Sequence, residues 1–184
     1  MREISKAQRK DEGAIAWLLH PPVSAPSATV LLRIMAGGVF LSEGVLKFPF
    51  ASLGVGRFAK LGFPFPLFTA SFVGAFEIVG GLLLILGLLT RPMAIAFVFE
   101  MVVAMLSTKI SLYLGTSPLP PPPVPPVSGL AAVLHESRSD LAQLLTSAFL
   151  IAAGPGAYSL DAWMQARRRG HRRMGSSVTL LSPS

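Results

Sequence analysis

This sequence predicts an all-α membrane protein, a four-helix transmembrane bundle with short interfacial helices, on three observations. Hydrophobic residues make up 52% of the 184 and charged residues 14%, against roughly 25% charged in a soluble domain, and the mean hydropathy is +0.60. Four stretches approach or exceed the roughly 20 apolar residues that cross about 30 Å of hydrocarbon at about 1.5 Å per residue. Each stretch also gathers its polar and small residues on one helical face, as helices sharing an interior require. The same composition excludes disorder of the whole chain.

The elements follow in chain order. Residues 1–27 form a cytoplasmic N-terminal tail. Its apolar run, 14–19, is shorter than a secretory h-region and is followed by His20-Pro21-Pro22. Trp17 is placed to anchor that short amphipathic run at the headgroups. Residues 28–162 form the membrane domain, with spans at about 28–48, 66–90, 92–114 and 141–158. Between the first two spans, FASLGVGRFAKLGFP carries spaced aromatics and two cations, which fits a short interfacial helix. Arg91-Pro92 is the turn of a tight hairpin between spans two and three. The Pro-rich loop 116–128 is an extended polyproline strap, read as a spacer. Gly154-Pro155-Gly156 ends the fourth span. Ser159 then caps a short interfacial helix with Asp161 and Trp163. Residues 163–184 are a basic cytoplasmic tail that meets anionic lipid headgroups rather than nucleic acid.

Lys and Arg set the orientation. With four spans, one side carries ten cations (both tails and Arg91) and the other five (Lys47, Arg57, Lys60, Lys109 and Arg138). That imbalance puts both termini in the cytoplasm, across what reads as a bacterial inner membrane.

The informative residues are charges at bilayer depth, where an ionisable group costs at least ~2.5–3.5 kcal/mol and so faces protein or a wet cavity. Arg33, Glu43 and Lys47 lie in span one, Glu77 in span two, Glu100 and Lys109 in span three. Arg33, Gly37 and Gly44 share a stripe, as do Gly74, Glu77 and Gly81, then Glu100, Ala104, Ser107 and Ser111, then Asp140, Gln143 and Ser147. Arg33 is expected to compensate one of the carboxyls Glu77 and Glu100. Glu43 and Lys47 are expected to pair at i, i+4, and Lys109 to snorkel outward. Three readings stay open. The cluster fixes helix register, forms a ligand or proton site, or lines a conduction pathway. A glycine face such as Gly80 to Gly87 offers a route to a homo-oligomer.

Absent residues exclude much chemistry. Without cysteine there are no disulfides, thiolate metal sites or catalytic thiols. His20, His135 and His171 lie apart in loops, with no metal-binding helix motif. Met101 and Met105 read as packing rather than copper ligands. Phosphate-loop, dinucleotide and nucleophile-elbow motifs are missing.

Three motifs in order carry a family resemblance. RIMAGGVFLSEGVLK (33–47), EIVGGLLLILGLLTR (77–91) and GPGAYSLD (154–161) resemble the signatures of DoxX-type membrane proteins, and the LGFP before span two fits as well. The resemblance covers about residues 28–162. It implies a four-helix bundle and association with membrane redox assemblies such as a thiosulfate:quinone oxidoreductase. The proline-rich loop and the basic tails depart from typical members. On that resemblance the chain is expected to be a membrane subunit that binds quinone or anchors an oxidoreductase partner, with no redox centre of its own and no covalent cofactor. Arg33, Glu77 and Glu100 would supply donors and protonatable groups to a quinone, with Glu43, Lys47 and Gln143 at an outer mouth. The alternatives are a non-catalytic scaffold and a small transporter. No internal repeat supports the transporter.

Overall fold

The computed structural model describes residues 13, 15–19 and 25–167, and among these every regular element is a helix. The polar start of the N-terminal tail and the basic run beyond Arg167 lie outside the described residues. Helix α1 is Thr29–Leu46, α2 Val55–Lys60, α3 Pro66–Leu86, α4 Thr90–Leu114, α5 Gly129–Glu136 and α6 Arg138–Ala153, and residues 160–167 are also helical. Helices α1, α3 and α4 are long and apolar enough to cross a membrane. The fourth expected span is shorter: α6 has 16 residues and stops at Gly154, whose φ of 82° lies in the region open to glycine.

Local chemistry explains the ends. Pro66 opens α3 at the first position, where its missing N–H costs nothing. At the other end Gly87 takes a left-handed φ of 66°, and Gly87 N and Leu88 N donate to Leu84 O and Leu83 O. That glycine-closed turn satisfies the last carbonyls of α3. The hairpin break therefore falls at 87–89. Arg91 and Pro92, expected as the turn, lie in the first turn of α4. Pro92 is tolerated there because the first N–H groups of a helix have no partner within it. Within the third connection, α5 was not foreseen in the sequence.

The inside of the molecule is made of small residues and the outside of large ones. Helices α1 and α3 pack most extensively, in antiparallel register. A Cβ on Gly37 would sit 2.5 Å from Gly81 O, and one on Gly44 would sit 2.7 Å from Gly74 O. Neither fits, so the two backbones touch only because those residues lack side chains. Helices α4 and α6 form the second well-packed pair. The pairs meet where Phe40 of α1 stacks on Phe97 of α4, ring centroids 3.7 Å apart, with Ala36, Leu84, Ala94 and Leu150 buried around them. Gly80 makes room for the Phe97 ring, and Gly81 and Gly87 face Gly37 and Arg33. The glycine face considered as a dimer surface is thus occupied within the chain. Outward, Phe68, Leu31 and Leu145 are 73%, 66% and 66% exposed. Large apolar side chains turned outward over several helices are the surface a bilayer solvates.

Candidate functional site

The buried polar residues form two clusters at opposite ends of α1. The first lies near Arg33. This side chain is 1% exposed, and its Nη2 donates to the Tyr158 carbonyl. It faces the carboxylate of Asp161 rather than Glu77 or Glu100. Asp161 in turn accepts from Leu89 N at 3.2 Å, Thr90 N at 3.3 Å and the Thr90 hydroxyl at 3.3 Å, so it caps the start of α4 from far along the chain. The Asp161 N–H donates back to Gly87 O at 3.0 Å. A Cβ on Gly87 would collide with the Arg33 guanidinium, which adds a steric reason for glycine to the left-handed φ. Nearby, Arg91 donates to Ile151 O at 2.9 Å, Ala152 O at 3.2 Å and Trp17 O at 2.7 Å, with its guanidinium 4.2 Å from the Trp17 ring centre. The Ser159 hydroxyl accepts from Ala162 N, as the expected cap requires.

The second cluster lies about 21 Å along α1, fourteen residues from Arg33. Lys47 Nζ meets Glu77 Oε2 at 2.5 Å, with both side chains nearly buried. The expected pairing of Lys47 with Glu43 is not made. Glu43 lies on a more exposed face of α1, while the contact of Gly44 with Gly74 and Glu77 brings Lys47 to α3. The Glu100 carboxyl reaches that of Glu77, and its Oε2 is buried without a hydrogen-bond partner among the described residues, as is Gln143 Oε1. One cation therefore faces two carboxyls. The triad is one positive charge short of balance.

These groups line a cavity of about 550 Å³, within the roughly 300–1,000 Å³ usual for small-ligand sites. Glu43, Lys47, Glu77, Glu100 and Gln143, five of the six residues selected from the sequence, are on its wall. Arg33 is not among them and belongs to the first cluster. The rest of the lining is mainly apolar, with Phe40, Phe72, Phe76 and Phe99 from the long helices and Phe58 and Phe63 from the first connection. Phe58 and Phe63 contact each other, centroids 5.3 Å apart, so this connection covers the cavity as well as lying beside the spans. Gly54 lets it fold back onto the Lys47 carbonyl. Sequence reasoning missed Arg57, Phe58 and Phe63 as lining groups, although the aromatic spacing of that loop was the available signal; Asp140, placed on the polar stripe of the fourth span, also lies on the wall. Lys109 does not snorkel. It pairs with Asp140 at 3.0 Å and donates to Glu136 O at 3.0 Å. Among the described residues no group of three or more His, Asp and Glu side chains is placed to hold a metal.

Helices built on glycine contacts, apolar outside and charged within, define an integral membrane protein with a mainly apolar cavity that carries a few charged groups. The DoxX family model matches residues 28–110. An uncharacterized membrane protein of Mycobacterium tuberculosis, Rv3486, is 40% identical over 151 residues, covering 80% of this chain and 88% of that one. The Bacillus subtilis protein named "Putative oxidoreductase CatD" is 27% identical over 133 residues, covering 72% of this chain and 84% of that one. The chain belongs to the DoxX family. No solved structure matches it.

Proposed function

We propose that this chain is a membrane subunit of a redox complex and holds a quinone in the cavity beside Lys47, Glu77 and Glu100. The observation that carries the reading is the unpartnered, buried Glu100 Oε2 on the wall of an aromatic cavity next to a carboxylate already held by a lysine. A quinone presents a flat ring to apolar walls and carbonyl oxygens to one or two polar groups, and these residues fit both parts. When bound, it supplies reversible uptake of electrons and protons. Glu100 would hold a proton at Oε2 facing the ring, Lys47 would fix the Glu77 carboxylate, and Phe58 and Phe63 would limit water entry. The chain would act with an oxidoreductase partner, in line with the weak likeness to a protein named for that activity.

In this reading α6 is the fourth span of a four-helix bundle. It is about 24 Å long, and Leu141, Leu145 and Phe149 are exposed along it, so the segment to Gly156 completes the crossing. The excess of Lys and Arg on the terminal side supports cytoplasmic termini in a bacterial inner membrane.

The test is to purify the full chain in mild detergent and measure co-purified quinone by mass spectrometry, with Glu100→Gln beside the wild type. Glu100→Gln is preferred to Glu77→Gln because the latter strands Lys47. About one quinone per chain, reduced at least tenfold in a variant that elutes as folded, is the expected result. A well-folded wild type without quinone overturns the reading and favours a scaffold whose charges fix packing.

A further inference from the structure

A second pocket, about 490 Å³, lies under the proline strap on the side of the molecule away from Arg33. Arg57 and Lys60 project into it from α2 and Lys109 from α4, and Pro120 to Pro123 form its roof. Glu136 is the one acid on its wall among the described residues. Lys109 is held by Asp140 at 3.0 Å, whereas no ion pair joins Arg57 or Lys60 to an acid among the described residues. The strap thus borders a pocket that holds two cations with no acid partner among the described residues.

We propose that this pocket is a phosphate-oxyanion site, with Arg57 and Lys60 as its ligands. The roof prolines have no N–H to donate, so recognition falls on the side chains. A guanidinium fork beside an ammonium group suits a phosphate, which accepts several charge-assisted hydrogen bonds. Each roof proline has its φ fixed by its ring before any ligand arrives, so less ordering is required on binding. Arg57 also lines the aromatic cavity, which puts the anion site and the apolar site on one shared wall. The phosphate comes either from the headgroup of a lipid beside the spans or from free inorganic phosphate. The proposal stands independently of the quinone reading.

The test uses the full chain in mild detergent, delipidated, as wild type and as Arg57→Gln/Lys60→Gln. Both positions are at least partly exposed, so the double variant folds, checked by elution and by unchanged thermal stability. Native mass spectrometry with added phosphatidylglycerol or phosphatidylcholine, and equilibrium dialysis with inorganic phosphate, read the binding. A preference of tenfold or more for phosphatidylglycerol, lost in the variant, supports the site and assigns it to a lipid. Saturable binding of inorganic phosphate, lost in the variant, supports it and assigns it to the free ion. Binding of neither, or a preference that survives in the variant, overturns it. The single change Lys60→Glu, which inverts one charge on an exposed side chain, must weaken binding further than Lys60→Gln.

Discussion

The two buried polar clusters answer the same problem, a charge inside a membrane protein, in opposite ways. Around Arg33 and Arg91 the charges end on backbone: the carbonyls of Tyr158, Ile151, Ala152 and Trp17 accept from them, and Asp161 accepts from the first N–H groups of α4. Around Lys47, Glu77 and Glu100 the charges meet one another and then open space, among aromatic rings. The first arrangement ties four segments of chain together. Both leave polar atoms without a hydrogen-bond partner among the described residues, Arg33 Nε and Nη1 in the first and Glu100 Oε2 and Gln143 Oε1 in the second, but only Glu100 and Gln143 lie on a cavity wall. What sets the two ends apart is thus the open space beside the second, not burial itself.

The largest effect expected is from Asp161→Ala. It uncaps α4 and leaves Arg33 facing no acid, which should remove about 3–5 kcal/mol of stability. Heating in detergent followed by size-exclusion chromatography measures it. Ligand binding per folded molecule should stay unchanged, and a variant as stable as the wild type would break the contrast. Next comes Lys47→Met, which strands Glu77 at a cost of about 3 kcal/mol. The double change Lys47→Met/Glu77→Met should recover most of that while abolishing the site, a cycle that separates fold from function. Gly44→Ala should cost about 1–3 kcal/mol by forcing α1 from α3, and it should disturb the Lys47–Glu77 end more than the Arg33 end, read by hydrogen exchange in each region. Glu100→Gln comes last for stability, with under about 1 kcal/mol expected because Oε2 has no partner to lose. Relative to its effect on stability, its effect on ligand occupancy should be the greatest of the four single changes.

How far the sequence reached differs between local and tertiary features. The long apolar helices and the small-residue faces were legible, because apolar length and helical period are local properties. Gly37 and Gly44 were placed on the packing stripe of α1, and the structure seats them on α3. The pairing of charges was not legible. Lys47 chose Glu77 over Glu43, Lys109 chose Asp140 over the headgroups, and Arg33 chose the terminal motif over the carboxyls. Each choice depends on the register between helices, which no single helix encodes. Five of the six residues selected from the sequence line one cavity, Glu43 from a more exposed face and Arg33 not at all, and Phe58 and Phe63, which come from a loop whose fold follows Gly54, were not selected.

The cap that Asp161 places on α4 also sets an order of events. Thr90 leaves the ribosome some seventy residues before the side chain that closes its helix, so the α3–α4 hairpin waits in the membrane with its turn unsealed and Arg33 without its acid. Closure arrives only when the chain has been made through the Gly-Pro-Gly segment and the residues after it. A product truncated before Asp161 carries every long apolar helix yet lacks the latch that caps α4.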